Sequence, residues 1–356
     1  MNLNTYLLFA LVVLAVSWLA EWAVMKISYR YKIFDKPNER KIHKEQIPRL
    51  GGIVFFPLVA LAVLLMSLLG INVDELVLIL PAVTLLYVVG ITDDLCGVRY
   101  RNKFLAQGLS ALLLCAVGYS YSNFYGLIGL QELPLWFSWI VTVFMVIFVT
   151  NAINFIDGID GLASALSLCA MGFFSFIFYQ LNDDLFFTLV IVMPVTLIPF
   201  IFYNVAGHAK RKNKIFMGDA GSLFLGLMFT IMSIRISNHP TADGGQCNLL
   251  LLSLAPILLP LLDVVHVVMH RLKIGANPFS ADKSHIHHRC LAMGMSQHAT
   301  LLVILVINAG IIALCCWTAM RLNPNLAVVV IVLVWILINL LITKLKNKSS
   351  RYEKEN

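Results

Sequence analysis

The chain has 356 residues, 60 % of them hydrophobic and only 13 % charged, with a formal net charge of +7. This composition excludes a soluble globule and points to a single polytopic membrane domain over residues 1–356. The positive balance invites a nucleic-acid partner, but the placement of the charges explains it without one.

Eleven apolar stretches follow one another, near 5–25, 51–70, 74–92, 103–121, 134–152, 161–180, 184–203, 214–236, 248–270, 299–320 and 325–345. Each is close to the ~20 residues that cross a bilayer core as a helix. The expected fold class is therefore all-α and polytopic, with about eleven transmembrane helices. The first stretch is too long for a cleavable signal peptide and lacks a basic N-terminal flank and a small-residue cleavage site. Of the 26 Lys and Arg, Arg235 and Arg321 fall in one set of loops and the other 24 in the alternate set or the tail. The positive-inside rule then puts the N-terminus outside and the C-terminus in the cytoplasm. The basic side also attracts anionic lipid. Seven scattered cysteines, with no CxxC pair, give no disulfide framework.

Outer loops (71–73, 122–133, 181–183, 237–247, 322–324) are too short to fold as domains. Inner loops (26–50, 93–102, 153–160, 204–213, 271–298) are longer and hold most of the chemically capable residues. No internal repeat of the kind built into many transporters is visible. Residues 346–356 read as a charged, disordered cytoplasmic tail.

The motifs follow in chain order. The first inner loop, DKPNERKIHKEQIPRLGG over 35–52, brings Lys36, Arg40, Lys41, Lys44 and Arg49 to an electropositive mouth. The positive-inside rule accounts for its charge but not for Gly51-Gly52. Asp93-Asp94 ends the third span. Adjacent carboxylates repel, which makes a base or a cation site, while a solvated loop start is the plainer alternative. Lys103, ten residues on, offsets that charge or grips a phosphate. In NAINFIDGIDGLA (151–163), Asn151, Asn154 and Asp157 recur every three residues along a helix face. Gly158 and Gly161 allow close backbone approach there, and Asp160 is placed to cap the sixth span.

Asp219, in KIFMGDAGSLFLG (214–226), lies in an apolar run and needs a partner. A hard cation such as Mg²⁺, bridging to substrate phosphates, is one candidate and Lys214 is another. In SADKSHIHHRC, the residues His285, His287, His288 and Arg289 suit an anion site better than a zinc site, since neither HExxH nor a Cys pair is present. Asp263, His266 and His270 share a face of the ninth span and read equally well as packing polars.

Taken together, DKPNERKIH with PRLGG, GITDD, NAINFIDGIDGLA, IFMGDAGSL and HIHH resemble the polyprenyl-phosphate N-acetylhexosamine-1-phosphate transferases. The likeness runs through the whole chain in order. It implies a multi-pass enzyme of the bacterial inner (plasma) membrane with its active site facing the cytoplasm. Such an enzyme moves a sugar 1-phosphate from a UDP-N-acetylhexosamine to undecaprenyl phosphate, using Mg²⁺ or Mn²⁺, and releases UMP. By motif position, Asn154 and Asp219 would bind the metal. Asp93 and Asp94 would position or deprotonate the lipid phosphate, and Lys103 would contact phosphate. Phe216 would stack on uracil. Lys44, Gly158 and Asp160 would complete the nucleoside pocket, with Asp157 beside the metal. A homodimer is compatible with this reading.

Departures from the peptidoglycan branch narrow the donor. That branch carries three consecutive histidines and then an acidic residue, whereas Ile286 breaks the run here and Arg289 follows it. IPRLGG replaces TPTMGG, and the stretch from Asn204 to Asp219 is longer and more basic. These features resemble the undecaprenyl-phosphate N-acetylglucosaminyl 1-phosphate transferase branch, which begins an envelope polysaccharide. The alternatives are the phospho-N-acetylmuramoyl-pentapeptide transferase and, from another class, a cation-coupled transporter. A transporter would place its carboxylates near mid-membrane, and here they gather at span ends on one side.

Overall fold

A computed structural model describes residues 3–34, 46–240, 247–277 and 284–355. The chain is helical over 78 % of its length. The helices are α1 (Leu3–Arg30), α2 (Phe55–Leu68), α3 (Asp74–Cys96), α4 (Tyr100–Ala116), α5 (Leu135–Ile156), α6 (Leu162–Gln180), α7 (Asp184–Ile201), α8 (Gly218–Ser237), α9 (Leu249–Leu254), α10 (Leu258–Lys273), α11 (Ile286–Leu291), α12 (Gln297–Arg321) and α13 (Pro324–Glu355). Backbone polar groups have no water partner in hydrocarbon, so apolar runs of this length close their hydrogen bonds internally as helices.

Ten helical segments among the described residues are long and apolar enough to cross a membrane. They include a 3₁₀ turn with α2 (Gly51–Leu68) and α9 joined to α10 (Leu249–Lys273). The eleventh expected span, 103–121, is the 17-residue α4. It is shortened because Arg101, Lys103 and Gln107 interrupt its apolar character and Gly118 turns the chain at φ +87°. At the other end of the chain, α13 remains helical through Glu355. The tail expected to be disordered is rich in Lys, Arg and Glu, which favour helix, so α13 continues past the apolar segment that ends at Lys348.

Helix α8 is the axis of the bundle. Of its most apolar 18 residues 94 % are buried, whereas α12 and α13 bury 28 % and turn large apolar side chains such as Leu302, Val306, Leu337 and Leu341 outward. Small residues set the spacing around α8. A Cβ added at Gly90 of α3 would lie 2.6 Å from Ala220 Cα, and one added at Gly226 would lie 2.6 Å from Thr150 Cα of α5. Such contacts let helix backbones pack closely where hydrophobicity alone drives no association.

At the end of α8 away from the motifs, Arg235 donates from Nε to Asp183 Oδ2 (2.6 Å) and from Nη1 to Glu75 Oε1 (2.7 Å). This accounts for one of the two basic residues on that side, since it ties α3, α7 and α8 together. There the loop 122–133 forms an antiparallel hairpin of β1 (Asn123–Leu127) and β2 (Leu130–Glu132), docked on α13 by the Ile128 N–H donating to Asn325 Oδ1 (2.8 Å).

Candidate active site

The opposite end of α8 gathers the motif residues. Segment 48–52 pairs with 216–217 in a short backbone ladder: Phe216 N–H donates to Pro48 O (2.7 Å), Gly51 N–H to Phe216 O (2.9 Å) and Gly52 N–H to Met217 O (2.7 Å). The paired glycines, which charge could not explain, are required by this approach: a Cβ at Gly52 would lie 2.2 Å from Gly221 Cα. Gly218 then turns into α8 at φ +72°, where a Cβ would lie 1.9 Å from Arg49 O. Only glycine fits a left-handed turn with backbone that close.

Asp94 and Asp93, adjacent in sequence, separate in space. The Asp94 carboxylate is fully buried and accepts the backbone N–H groups of Asp219 (2.8 Å, Oδ1) and Ala220 (2.9 Å, Oδ2). It caps α8 from another helix, where a carboxylate also favours the helix dipole. Asp93 instead accepts from Val98 N–H (2.6 Å) through Oδ1 and from Lys103 Nζ (2.7 Å) through Oδ2. The two therefore do not act as one repelling pair.

Lys103, near the start of α4, donates to both Asp93 Oδ2 and Asp219 Oδ2 and so joins α3, α4 and α8. Arg49 Nη2 stands 3.6 Å from Asp219 Oδ1, and its Nε lies 3.9 Å from Asp94 Oδ1. Lys214, the partner considered for Asp219, pairs with Asp160 (2.5 Å) instead. The ladder with segment 48–52 turns Lys214 away from α8 and toward the 157–161 loop. The sequence placed Arg49 in a basic mouth and in the IPRLGG stretch, but gave no sign of its approach to Asp219.

Helix α5 ends at Ile156, so Asn151 and Asn154 lie on it while Asp157 begins the following loop. Asn151 donates to Gln107 Oε1 of α4 (2.9 Å), and Asn154 donates from Nδ2 to Ser222 Oγ of α8 (2.8 Å). Ser222 stands one turn after Asp219, so Asn154 is tied to the same end of α8, and its bond through nitrogen leaves the amide oxygen as the ligand-capable atom. Asp157 is exposed on one side yet crowded by protein on the other. That desolvation first, then the charges of Asp219 and Asp160, raise its carboxyl to about 7 against a smaller opposing pull from Arg49. The N-cap position of α6 falls on Gly161 rather than Asp160, and the Gly161 N–H donates to Asn204 Oδ1 (2.8 Å).

The histidine segment joins this group through α11. A Cβ at Gly158 would lie 2.0 Å from His287 Nε2, so the imidazole rests on the 157–161 loop. His287 is buried, and desolvation first, then His288 and His285, hold its basicity well below the usual histidine value. Arg289 is placed away from the anion site expected of it. Its guanidinium donates to Asn339 Oδ1 (2.5 Å), Asn339 O (3.0 Å) and Thr343 Oγ1 (2.7 Å) on α13, with His266 Nε2 at 3.1 Å. The long side chain reaches back along α11 into a polar notch of α13. His288 flanks His287 at a ring separation of 4.2 Å. Phe216 is half-buried beside the ladder. Lys44, with Lys36, Arg40 and Lys41, lies outside the described residues.

Asp219 on α8 and Asn154 on α5, tied to α8 through Ser222, offer a carboxylate and an amide oxygen. Among the described residues no three His, Cys, Asp or Glu side chains converge as a metal cage. This hard, oxygen-only and incomplete donor set suits Mg²⁺ or Mn²⁺, which keep waters and bridge to phosphate, and does not suit zinc.

Residues 76–237, which run from α3 through α8 and contain Asp93, Asp94, Lys103, Asn154, Asp157, Asp160 and Asp219, match the family model for glycosyl transferase family 4. The chain is 30 % identical over 293 residues to the undecaprenyl-phosphate alpha-N-acetylglucosaminyl 1-phosphate transferase of Yersinia pestis, covering 81 % of this chain and 77 % of that one. The chain belongs to glycosyl transferase family 4. It is also 31 % identical over 318 residues to the decaprenyl-phosphate N-acetylglucosaminephosphotransferase of Mycolicibacterium smegmatis (84 % and 78 % coverage). A Salmonella typhi undecaprenyl-phosphate alpha-N-acetylglucosaminyl 1-phosphate transferase is 29 % identical over 293 residues (81 % and 77 %). In this family 4 chain, the matched segment and the convergence of charged side chains coincide at one end of α8.

Proposed function

We propose that the chain transfers N-acetylhexosamine 1-phosphate, foremost that of N-acetylglucosamine, from a UDP-sugar to undecaprenyl phosphate and releases UMP. The named relatives act on a polyprenyl phosphate with this sugar phosphate. The observation that carries the reading is the meeting of Asp93, Lys103, Arg49, Asp219 and Asn154 at the basic end of α8.

In the reaction an oxygen of the lipid phosphate forms a bond to the β-phosphorus of the donor. The bond from that phosphorus to the bridging oxygen breaks, and UMP leaves with the electron pair. One phosphoanhydride replaces another, so the step is close to thermoneutral and reversible. A divalent cation held by Asp219 and Asn154 would neutralise diphosphate charge. Lys103 and Arg49 add positive charge beside that point. Asp93 orients Lys103, and it faces an acceptor that is already largely ionised near neutral pH. The loop 157–161, backed by His287, frames the donor. Most of the catalysis is thus positioning and charge neutralisation.

The same reading sets the membrane arrangement: one domain in the bacterial inner membrane, N-terminus outside, with the basic end of α8 and the C-terminus in the cytoplasm, where UDP-sugars occur. The polyprenyl tail lies in the bilayer near Asp93. A donor panel with purified protein, Mg²⁺ and undecaprenyl phosphate tests the assignment. UMP should appear from UDP-N-acetylglucosamine or a close epimer, and much more slowly from the UDP-muramoyl-pentapeptide. A higher kcat/KM for the muramoyl-pentapeptide nucleotide would overturn the donor assignment.

A further inference from the structure

Asp263, on α10, is 1 % exposed and carries no role in the chemistry above. Both of its oxygens are engaged by the start of α11. Oδ1 accepts the backbone N–H of Ile286 (2.9 Å), and Oδ2 faces His285 Nδ1 (2.8 Å). His285 sits at the N-cap position of α11 without capping it by its own side chain, so Asp263 supplies that cap from a neighbouring helix. A six-residue helix is not stable by itself in water and depends on tertiary contacts for its place. Here it is pinned at its first turn by Asp263 and at its last by Arg289 on α13.

What α11 carries makes this pinning matter. The His285 ring lies 5.8 Å from the Phe155 ring at the end of α5 and stacks at 5.9 Å and 13° on His287. His287 in turn rests on Gly158. Among the described residues, neither ring nitrogen of the buried His287 has a hydrogen-bond partner. An orphaned buried imidazole beside a phosphate-handling loop points to a ligand that completes it. A carboxylate on His285 Nδ1 also selects the tautomer that keeps Nδ1–H and leaves Nε2 as the acceptor.

We propose that Asp263 is a positioning residue of the transferase site: through Ile286 and His285 it fixes the register of α11 and so places His287 against Gly158, where the donor diphosphate is handled. This rests on the transferase reading.

Asp263→Asn is the informative variant. Its amide oxygen still accepts from Ile286 N–H, and its NH₂ still meets His285 Nδ1, but only after the ring adopts the opposite tautomer. The cap survives while the orientation of the histidine pair changes. Purified full-length Asp263→Asn should keep the wild-type unfolding temperature and bind UDP in calorimetry with unchanged stoichiometry. Its kcat with UDP-N-acetylglucosamine should fall about 10–100-fold at a nearly constant donor KM, the size expected when an orienting partner is altered. His285→Ala should show a similar loss, and the double variant should be no worse than either single, because both act through one contact.

Full turnover in Asp263→Asn, additive losses in the double variant, or a fall in activity matched by a fall in UDP-binding stoichiometry would each overturn the proposal. An inactive wild-type enzyme would overturn the transferase reading and this inference with it. An active wild type beside an unimpaired Asp263→Asn would overturn this inference alone.

Discussion

Asp94 Oδ1 accepts the backbone N–H of Asp219 at 2.8 Å, so the carboxylate that ends α3 holds the first turn of the helix that presents the proposed metal ligand. Its neighbour Asp93 faces Lys103 instead. Two residues that read as one motif therefore have different partners, Asp94 the start of α8 and Asp93 the Lys103 ammonium.

That division predicts opposite phenotypes. Asp94→Asn turns an NH₂ group toward one of two buried backbone N–H donors and leaves it unpaired, at a cost of about 1–3 kcal/mol. Its unfolding temperature in detergent should fall, and activity should fall with it. Asp93→Asn keeps the unfolding temperature and lowers kcat, because Lys103 loses the partner that aims it. Thermal unfolding alongside UMP release checks both; equal destabilisation in the two variants would contradict the division.

The raised carboxyl of Asp157 makes stability depend on pH. The folded state holds that proton up to about 7, while the unfolded chain releases it near the ordinary Asp value. Between those limits the folded state binds more protons, so this group's contribution to stability declines as pH rises from about 4 to 7 and levels off above. In EDTA, Asp157→Asn should flatten that part of the unfolding-temperature profile. An unchanged slope would show that Asp157 titrates normally.

Much of this was legible in the sequence, and the reasons differ by element. Apolar run length exposed every long span, because a bilayer imposes one length on all of them. The motif residues stood out as polar groups at span ends. Their partners did not: whether Lys103 or Lys214 faces Asp219 depends on how segment 48–52 pairs with 216–217, a contact between residues more than 160 positions apart. Arg289 misled for a similar reason. Its charge suggested phosphate, and only the packing of α11 on α13 shows Asn339 and Thr343 taking it. Asp263 read as a packing polar because its role lies in a helix 22 residues away.

The orientation can be tested with a cysteine at the site end. Cys290 is buried and unsuited to labelling, whereas Cys96 at the end of α3 is exposed. In a variant keeping Cys96 alone, a membrane-impermeant thiol reagent should spare it in intact cells and label it in inverted vesicles. Labelling in intact cells would place the basic end of α8 outside and contradict the proposed topology.

The central claim, that the basic end of α8 performs metal-dependent sugar-phosphate transfer to a polyprenyl phosphate, is tested most directly by product stoichiometry. Purified protein, UDP-N-acetylglucosamine and undecaprenyl phosphate should yield UMP and the lipid-linked N-acetylglucosamine diphosphate in equal amounts. Product should form with Mg²⁺ and not with EDTA, and folded Asp219→Ala should form almost none. Wild-type protein that binds UDP yet forms no lipid product, or Asp219→Ala that turns over normally at limiting Mg²⁺, would contradict the account.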